Sequence, residues 1–450
     1  MKFLEVKPII DGYECDSSLQ QEILYPDERK IIRHSWDDDL LQKFMASQHF
    51  SCSASSEEIV DYLVLLGQSW LDRKFFWRRM AEEWLPYSTG FSSEMITETL
   101  DITFREFTHS KLSKCIPNNK TDKNYTTLHI QAGNIYHSSL FGVIYGLLSG
   151  QPQFIKSSSQ EPLFFWLFAK SIIDVCPQIR EMISIAHWKG GDLDLENKML
   201  RIFHRIVAYG SNQSIKSLQT RIDKQSLFYG FGHKISCIVV PANISELLSY
   251  CPSITQDISL YDQHGCMSPQ FILYPRNSEV SVNVFADRLS ECLDECQNLL
   301  PRGNISLDES LSIMHQRDLI TLKRIKDDSV YMKVSPDSSL WSVIVNPDEN
   351  PHISPLNRYI SIFLYSDLEE LETKLNLFKG YYQVIGIPNI TALENDYKVL
   401  FNNLGVCRIC ETGLMQKPSI EEKHKGKLNP AVFEEEIKMV PRDGIEPPTR

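Results

Sequence analysis

The sequence holds no apolar run of the roughly 20 residues that a membrane-spanning helix requires. Its most apolar stretches, SSLFGVIYGLLSG (138–150) and PLFFWLFAKSII (162–173), carry about a dozen such positions each and read as buried helices. The opening MKFLEVKPIIDGYECD turns acidic too early to supply the apolar core of a secretory leader. No membrane span, a cytoplasmic location and reduced thiols are therefore expected. Basic charge is also short. The 46 Lys and Arg against 58 Asp and Glu leave a net charge of -12, which argues against a nucleic-acid partner but leaves room for a local basic pocket. A disulfide framework is missing too, because the 11 cysteines are odd in number and scattered. Cys407 and Cys410 form a CxxC with no second pair or neighbouring histidine to complete a zinc site, so no metal is expected. Cys292 and Cys296 lie one helical turn apart, where packing accounts for both.

What is present is an ordinary globular composition, 42% hydrophobic and 23% charged. At 450 residues the chain is too long for one small core, and two lobes are expected. Residues 1–120 read as a mainly helical segment, with apolar positions at helical spacing in EEIVDYLVLLGQSWLDRKFFWRRMAEEWL. STGFSSEMITETLDITFREF starts a further helix capped by Ser92 or Ser93, and CIPNNKTDKNY ends the layer as a polar loop. Strand and helix then alternate: TLHIQ, QFIKS, EMISIA, RIVAY, SLFYGF, KISCIVV and QFILYP read as strands with helices between several of them. That rhythm predicts βαβ units and parallel sheet, with ligands at the carboxyl ends of the strands. The predicted fold class is α/β, with a dinucleotide-binding lobe over 121–232, a catalytic lobe over 233–415 and a tail over 416–450.

Four short pieces sit at turns of this pattern. AGN (132–134) follows a strand, and so does IKSSSQEP (155–162). VAYGSNQSI (207–215) is strand, Gly-Ser turn and helix, and QHGCMSP (263–269) holds a cysteine ahead of a turn. Each alone has a plain structural reading: a turn, a solvated lysine, a helix cap, a small buried cysteine. WKGGD (188–192) likewise reads as a turn before a helix near Leu195.

Together and in this order the pieces resemble the aldehyde dehydrogenase superfamily, and most closely its acyl-CoA reductase branch, the LuxC type that makes fatty aldehyde. The resemblance runs from STGFSSEM through AGNIYHSS, WKGGD, VAYGS and FGHKIS to DQHGCMSP, and ends faintly at LGVCRICETG. It implies that Cys266 is the nucleophile forming an acyl-enzyme, and that the Asn134 amide with the Cys266 N–H makes the oxyanion hole. It implies that Lys156 meets the adenosine ribose and that Gly210 and Ser211 meet the pyrophosphate at a helix start. Ser159 stands where NAD-preferring relatives carry a glutamate, which points to NADPH. Gly190 and Gly191 are candidate cofactor lining.

Gly230 departs from the pattern, for hydrolytic members place there the glutamate that activates water. The later glutamate-phenylalanine motif that holds the nicotinamide ribose is not visible; SPLNRYISIF takes its place, with Arg358 a candidate ribose contact. His264 and His233 are expected to be structural.

The implied reaction is NADPH-dependent reduction of a long-chain fatty acyl thioester to an aldehyde. The donor is acyl-CoA or an acylated partner resembling an acyl-protein synthetase, and a homo-oligomer is expected. Two other readings stay open: an acyl carrier or acyltransferase that has lost cofactor binding, and an inactive homologue. The terminal VPRDGIEPPTR resembles translation into a transfer-RNA gene, so the last dozen or so residues are either fortuitous or a disordered tail, with no function assigned.

Overall fold

The structure, a computed structural model, describes residues 2–47, 53–117, 125–336, 338–422 and 432–433. Cys52, part of the CIPNNKTDKNY loop and the VPRDGIEPPTR end lie outside the described residues. The chain forms two compact units. Unit 1 comprises Met1–Thr89, Thr103–Gly232 and Ser419–Arg450, and unit 2 comprises Gly90–Ile102 and His233–Pro418.

Unit 1 opens with strands. These are β1 (Phe3–Val6), β2 (Ile9–Ile10), β3 (Tyr13–Glu14), β4 (Gln20–Leu24) and β5 (Lys30–His34). The helical expectation for 1–120 therefore fails over its first 34 residues. The first helix begins only at Asp38. Ahead of it Pro8, Gly12 and Pro26 break the chain into pieces too short for a helix but long enough to pair. β5 lies between β1, parallel to it, and β4, antiparallel to it.

The helices follow: α1 (Asp38–Ala46), α2 (Ser56–Leu71), α3 (Phe76–Thr89), α4 (Ser93–Phe104) and α5 (His109–Ser113), of which α4 belongs almost wholly to unit 2. Ser55 and Glu58 close a capping box on α2. Ser92 Oγ accepts from Met95 N at the start of α4. Trp70 stacks on Phe104 with centroids 4.7 Å apart and donates its indole N–H to Ser171 Oγ at 2.9 Å.

The alternating part of unit 1 runs β6 (Thr127–Ile130), α6 (Leu140–Leu148), β7 (Gln153–Lys156), α7 (Phe164–Val175), β8 (Ile183–Ala186), α8 (Leu193–Ile202), β9 (Arg205–Tyr209), α9 (Asn212–Arg221) and β10 (Leu227–Phe231). The sheet order is β10-β9-β6-β7-β8-β2-β3, and its first five strands are parallel. Strands β7, β8 and β9 are buried at every position, as a parallel sheet covered on both faces demands. All the loops leaving β6, β7, β8 and β9 thus emerge at one carboxyl edge.

Unit 2 repeats the plan with β11 (Ile235–Val239), α10 (Cys251–Ser259), β12 (Pro269–Pro275), α11 (Val282–Cys296), α12 (Leu307–Arg324), β13 (Tyr331–Val334), β14 (Ser342–Asn346), β15 (Tyr359–Tyr365), α13 (Leu368–Asn376), β16 (Tyr382–Ile387), α14 (Asn395–Asn403) and β17 (Arg408–Glu411). Its sheet order is β13-β14-β15-β12-β11-β16-β17, parallel except for β13. Ile254, Ile258, Phe285, Leu289 and Leu293 of α10 and α11 belong to one apolar cluster with the sheet. Leu371, Leu375, Leu400 and Phe401 of α13 and α14 belong to another. Asp367 caps α13, accepting from Glu370 N. Among the described residues no helix is long and apolar enough to cross a membrane.

His129 is fully buried in β6 and donates from Nε2 to Gln153 Oε1 at 2.7 Å. Burial pushes its pKa down from 6.5 to about 4. In that window the unfolded chain holds the proton and the folded chain does not, so stability should fall as pH drops from 6.5 towards 4. Urea unfolding across the window measures the slope. His129→Gln, which keeps a donor for Gln153 and does not titrate, should flatten part of it.

Candidate active site

Lys156 ends β7, and its side chain is buried with Nζ 5.8 Å from the Trp188 ring centroid. Burial pulls its pKa down to about 8. The segment after it is tied on both sides: Gln131 N donates to Lys156 O at 3.1 Å, and Ser157 N donates to Ala186 O at 2.9 Å. Ser159 is exposed, and its carbonyl accepts from Arg33 Nη1 at 3.2 Å. Arg33 comes from β5, is buried, and is drawn down to about 10 by that burial. Arg33 Nε, His187 Nδ1 and Trp188 Nε1 are buried with no hydrogen-bond acceptor among the described residues. Arg33, Lys156 and His187 repel one another, and burial with that repulsion holds His187 down to about 3. Cationic and donor groups thus gather where the 156–160 segment leaves the sheet. Arg33 escaped the sequence reading because nothing in a strand 126 residues away marks that contact.

The turn bearing Asn134 packs on this segment. A Cβ on Gly133 would stand 2.7 Å from Ser158 Oγ and from Gln160 Cβ, so only glycine allows the approach. Asn134 itself is exposed, in a bend that separates β6 from α6 rather than at the helix start. The two helix starts nearby differ in charge. At α7 the protein supplies its own carboxyl group: Glu161 accepts from Leu163 N at 2.7 Å and Phe164 N at 3.1 Å, with burial pushing its pKa up to about 7. At α9 the cap is Ser211, whose Oγ accepts from Ser214 N at 3.1 Å, and the first turn holds no acid. The α9 start is therefore the one suited to an external phosphate. Gly210 precedes it and donates its N–H to Phe231 O at 3.2 Å.

Gly190 and Gly191 form an exposed turn ahead of α8, where Asp192 accepts from Leu195 N at 3.3 Å. Gly191 has φ +88°, which accounts for that glycine by backbone alone.

Gly230 lies in β10 with no space for a side chain. A Cβ there would meet Ile215 Cγ2 at 2.5 Å and the Phe228 ring at 2.9 Å. At this position, which the resemblance matches to the water-activating glutamate of hydrolytic members, a side chain would require Ile215 or Phe228 to shift.

In unit 2, Cys266 sits in the turn Gly265–Ser268, closed by Ser268 N donating to Gly265 O at 3.0 Å, directly ahead of β12. Ser236 Oγ donates to Cys266 O at 2.8 Å and accepts from Val384 N at 3.0 Å, which pins the turn to two strands. The thiol is half-buried, and among the described residues the Cys266 N–H has no acceptor. By contrast, burial pushes Cys115, Cys176 and Cys251 up to about 12, which keeps them as inert thiols.

The approach to Cys266 is strained. Tyr261, Asp262 and Gln263 have φ of +57°, +47° and +66°. Facing them, Leu356, Asn357 and Arg358 have φ of +69°, +55° and +64°. Left-handed backbone at such residues costs roughly 1–2 kcal/mol each. Asn357 N donates to Asp262 O at 2.9 Å, and Arg358 Nε donates to Asp262 Oδ1 at 2.7 Å. Arg358, expected as a ribose contact, is instead fully buried against Asp262. His264 bonds Asn357 Oδ1 at 3.1 Å, the loop hydrogen bond expected of it.

Lys156, Ser159, Gly210, Ser211 and Asn134 therefore line the carboxyl edge of the unit 1 sheet, and Cys266 belongs to unit 2. Residues 51–431 match the family described as acyl-CoA reductase (LuxC). The chain belongs to that family. Among curated relatives, a long-chain acyl-protein thioester reductase of Aliivibrio fischeri is 24% identical over 79% of this chain and 76% of its own length. A second, from Photobacterium phosphoreum, is 23% identical over 94% of this chain and 88% of its own. Among solved structures, an aldehyde dehydrogenase from Brucella melitensis biovar abortus superposes with a TM-score of 0.70 at 10% identity, covering 91% of this chain and 89% of that one. The chain is thus an acyl reductase on an aldehyde dehydrogenase fold, as its motifs implied.

Gly230→Ala should cost about 1–3 kcal/mol by overpacking, read from urea unfolding. Ile215→Ala in the same chain removes the Cγ2 in the way and should recover part of the loss.

Proposed function

We propose that this protein reduces a long-chain fatty acyl thioester to the aldehyde through an acyl-Cys266 intermediate, with NADPH as reductant. The observation that carries the reading is the Cys266 turn: a half-buried cysteine whose backbone N–H has no acceptor among the described residues, fixed by Ser236 and preceded by strained backbone. The Cys266 thiolate attacks the thioester carbonyl, and the oxyanion that forms is stabilised by the Cys266 N–H, worth about 3 kcal/mol in the transition state. Collapse expels the donor thiol and leaves the acyl group on Sγ. The chemistry that a bound reduced nicotinamide would supply is a hydride to that carbonyl. Breaking the C–S bond then frees the aldehyde and restores the thiolate, and the expelled donor thiolate takes up one proton from water. With no base at Gly230 and no space for one, the acyl-enzyme is protected from hydrolysis and persists for reduction.

Support for a dinucleotide comes from the unit 1 edge. Lys156, buried beside Trp188, reaches the ribose, and the acid-free start of α9 with Gly210 and Ser211 suits the pyrophosphate. Ser159 in place of a carboxylate, with Arg33 held at its carbonyl, favours the 2'-phosphate of NADPH over the bare hydroxyl of NADH. The exposed Gly190–Gly191 turn borders the same edge. The donor is acyl-CoA or an acylated protein, the latter favoured by the relatives named for acyl-protein thioesters. The working protein is a homo-oligomer.

Intact mass after incubation with a long-chain acyl-CoA tests the first half: an acyl adduct on the native chain, absent in Cys266→Ala. No adduct on the native chain from either donor would sink the proposal. NADPH binding by fluorescence tests the second half. Because Lys156 loses its proton near pH 8, affinity should weaken as pH rises through about 8. Lys156→Ala should weaken it about 10-fold or more below that pH and remove the pH step.

A further inference from the structure

We infer that Asp262 and Arg358 form a buried clasp that positions the Cys266 turn for acyl transfer; the inference rests on the role of Cys266 proposed above. Chain geometry sets the problem. α10 ends at Ser259 and β12 starts at Pro269, and between them the backbone passes through three consecutive left-handed residues, none of them glycine. Left to itself such a stretch relaxes to right-handed or extended backbone, and Cys266, three residues further on than Gln263, would move with it.

Asp262 prevents this from three directions. Its Oδ1 accepts from Arg358 Nε at 2.7 Å, its Oδ2 accepts from Gly303 N at 2.9 Å, and its carbonyl accepts from Asn357 N at 2.9 Å. Gln263 adds a fourth tie, donating from Nε2 to Pro269 O at 2.9 Å and Tyr359 O at 3.2 Å. Arg358 is itself left-handed and anchored, its carbonyl accepting from Ser342 N at 3.0 Å. Both members of the pair are buried, 0% and 3% exposed at the side chain. A buried ion pair is a poor source of stability when apolar residues fill the same space, and is retained where it selects one conformation. Arg358 fits that logic: its Nη1 and Nη2 have no acceptor among the described residues, so the guanidinium is committed to the clasp through Nε alone. Arg358 is thus a positioning residue, acting on the nucleophile through Asp262.

The test compares the native chain with Arg358→Gly, Arg358→Lys and the double variant Asp262→Gly/Arg358→Gly. Glycine accepts left-handed backbone without strain, so the double variant removes the clasp together with the strain at positions 262 and 358 and should stay folded by circular dichroism. Two readouts are taken: the single-turnover rate of Cys266 acylation by acyl-CoA, and the rate of Cys266 alkylation by iodoacetamide. Both should fall on the order of 10-fold to 100-fold in Arg358→Gly and in the double variant. Arg358→Lys should recover part of the acylation rate. NADPH affinity should not change. Folded variants with native acylation and alkylation rates would overturn the inference. Unfolding of the double variant would overturn it too, by making the pair a general support of unit 2. Alkylation needs no acyl donor, so a native chain that is alkylated but never acylated refutes the proposed function instead, while the alkylation series still judges the clasp.

Discussion

The carboxylate and carbonyl of Asp262 hold together three stretches of unit 2 that are far apart in sequence, just ahead of the Cys266 turn. Two facing runs of left-handed backbone, 261–263 and 356–358, meet through its carboxylate and its carbonyl. Each run carries a steric cost that the opposing run and the ties to Gly303, Pro269 and Ser342 offset. Around this point the parallel sheet is conventional: strands buried on both faces, helices on either side, and the cysteine turn closing onto β12.

Unit 1 solves a different problem, the placing of positive charge in a largely apolar setting. Lys156 and Arg33 supply that charge near the end of β7, and burial lowers the pKa of each, while burial and the two cations keep the neighbouring His187 neutral. Buried cations and donors without acceptors among the described residues are costly in such a place, and an anion bound there would offset that cost. The acid at the start of α7 and the serine at the start of α9 direct that anion towards one helix rather than the other.

Much of this was legible in short stretches. QFIK, ISIA and RIVAY are apolar runs bounded by turn residues and became buried parallel strands. Ser211 stood directly ahead of a helical pattern and became its cap. Cys266 was marked by its neighbours and lies in the turn before β12. The first 34 residues were not legible, because strands of two to five residues bury too little to leave a periodic pattern. Arg33 and Asp262 were not legible either: each owes its role to a partner 126 or 96 residues away.

By itself the sequence determined the order of strands and helices through the alternating region and the residues that stand at their ends, since these follow from spacing and capping within a few residues. The missing glutamate at Gly230 was also a matter of sequence. Only the tertiary structure decided that no side chain fits there, that Arg33 reaches the Ser159 carbonyl, and that Arg358 turns inward to Asp262. Those outcomes depend on which side chains are removed from water together, and that is settled by packing between distant segments.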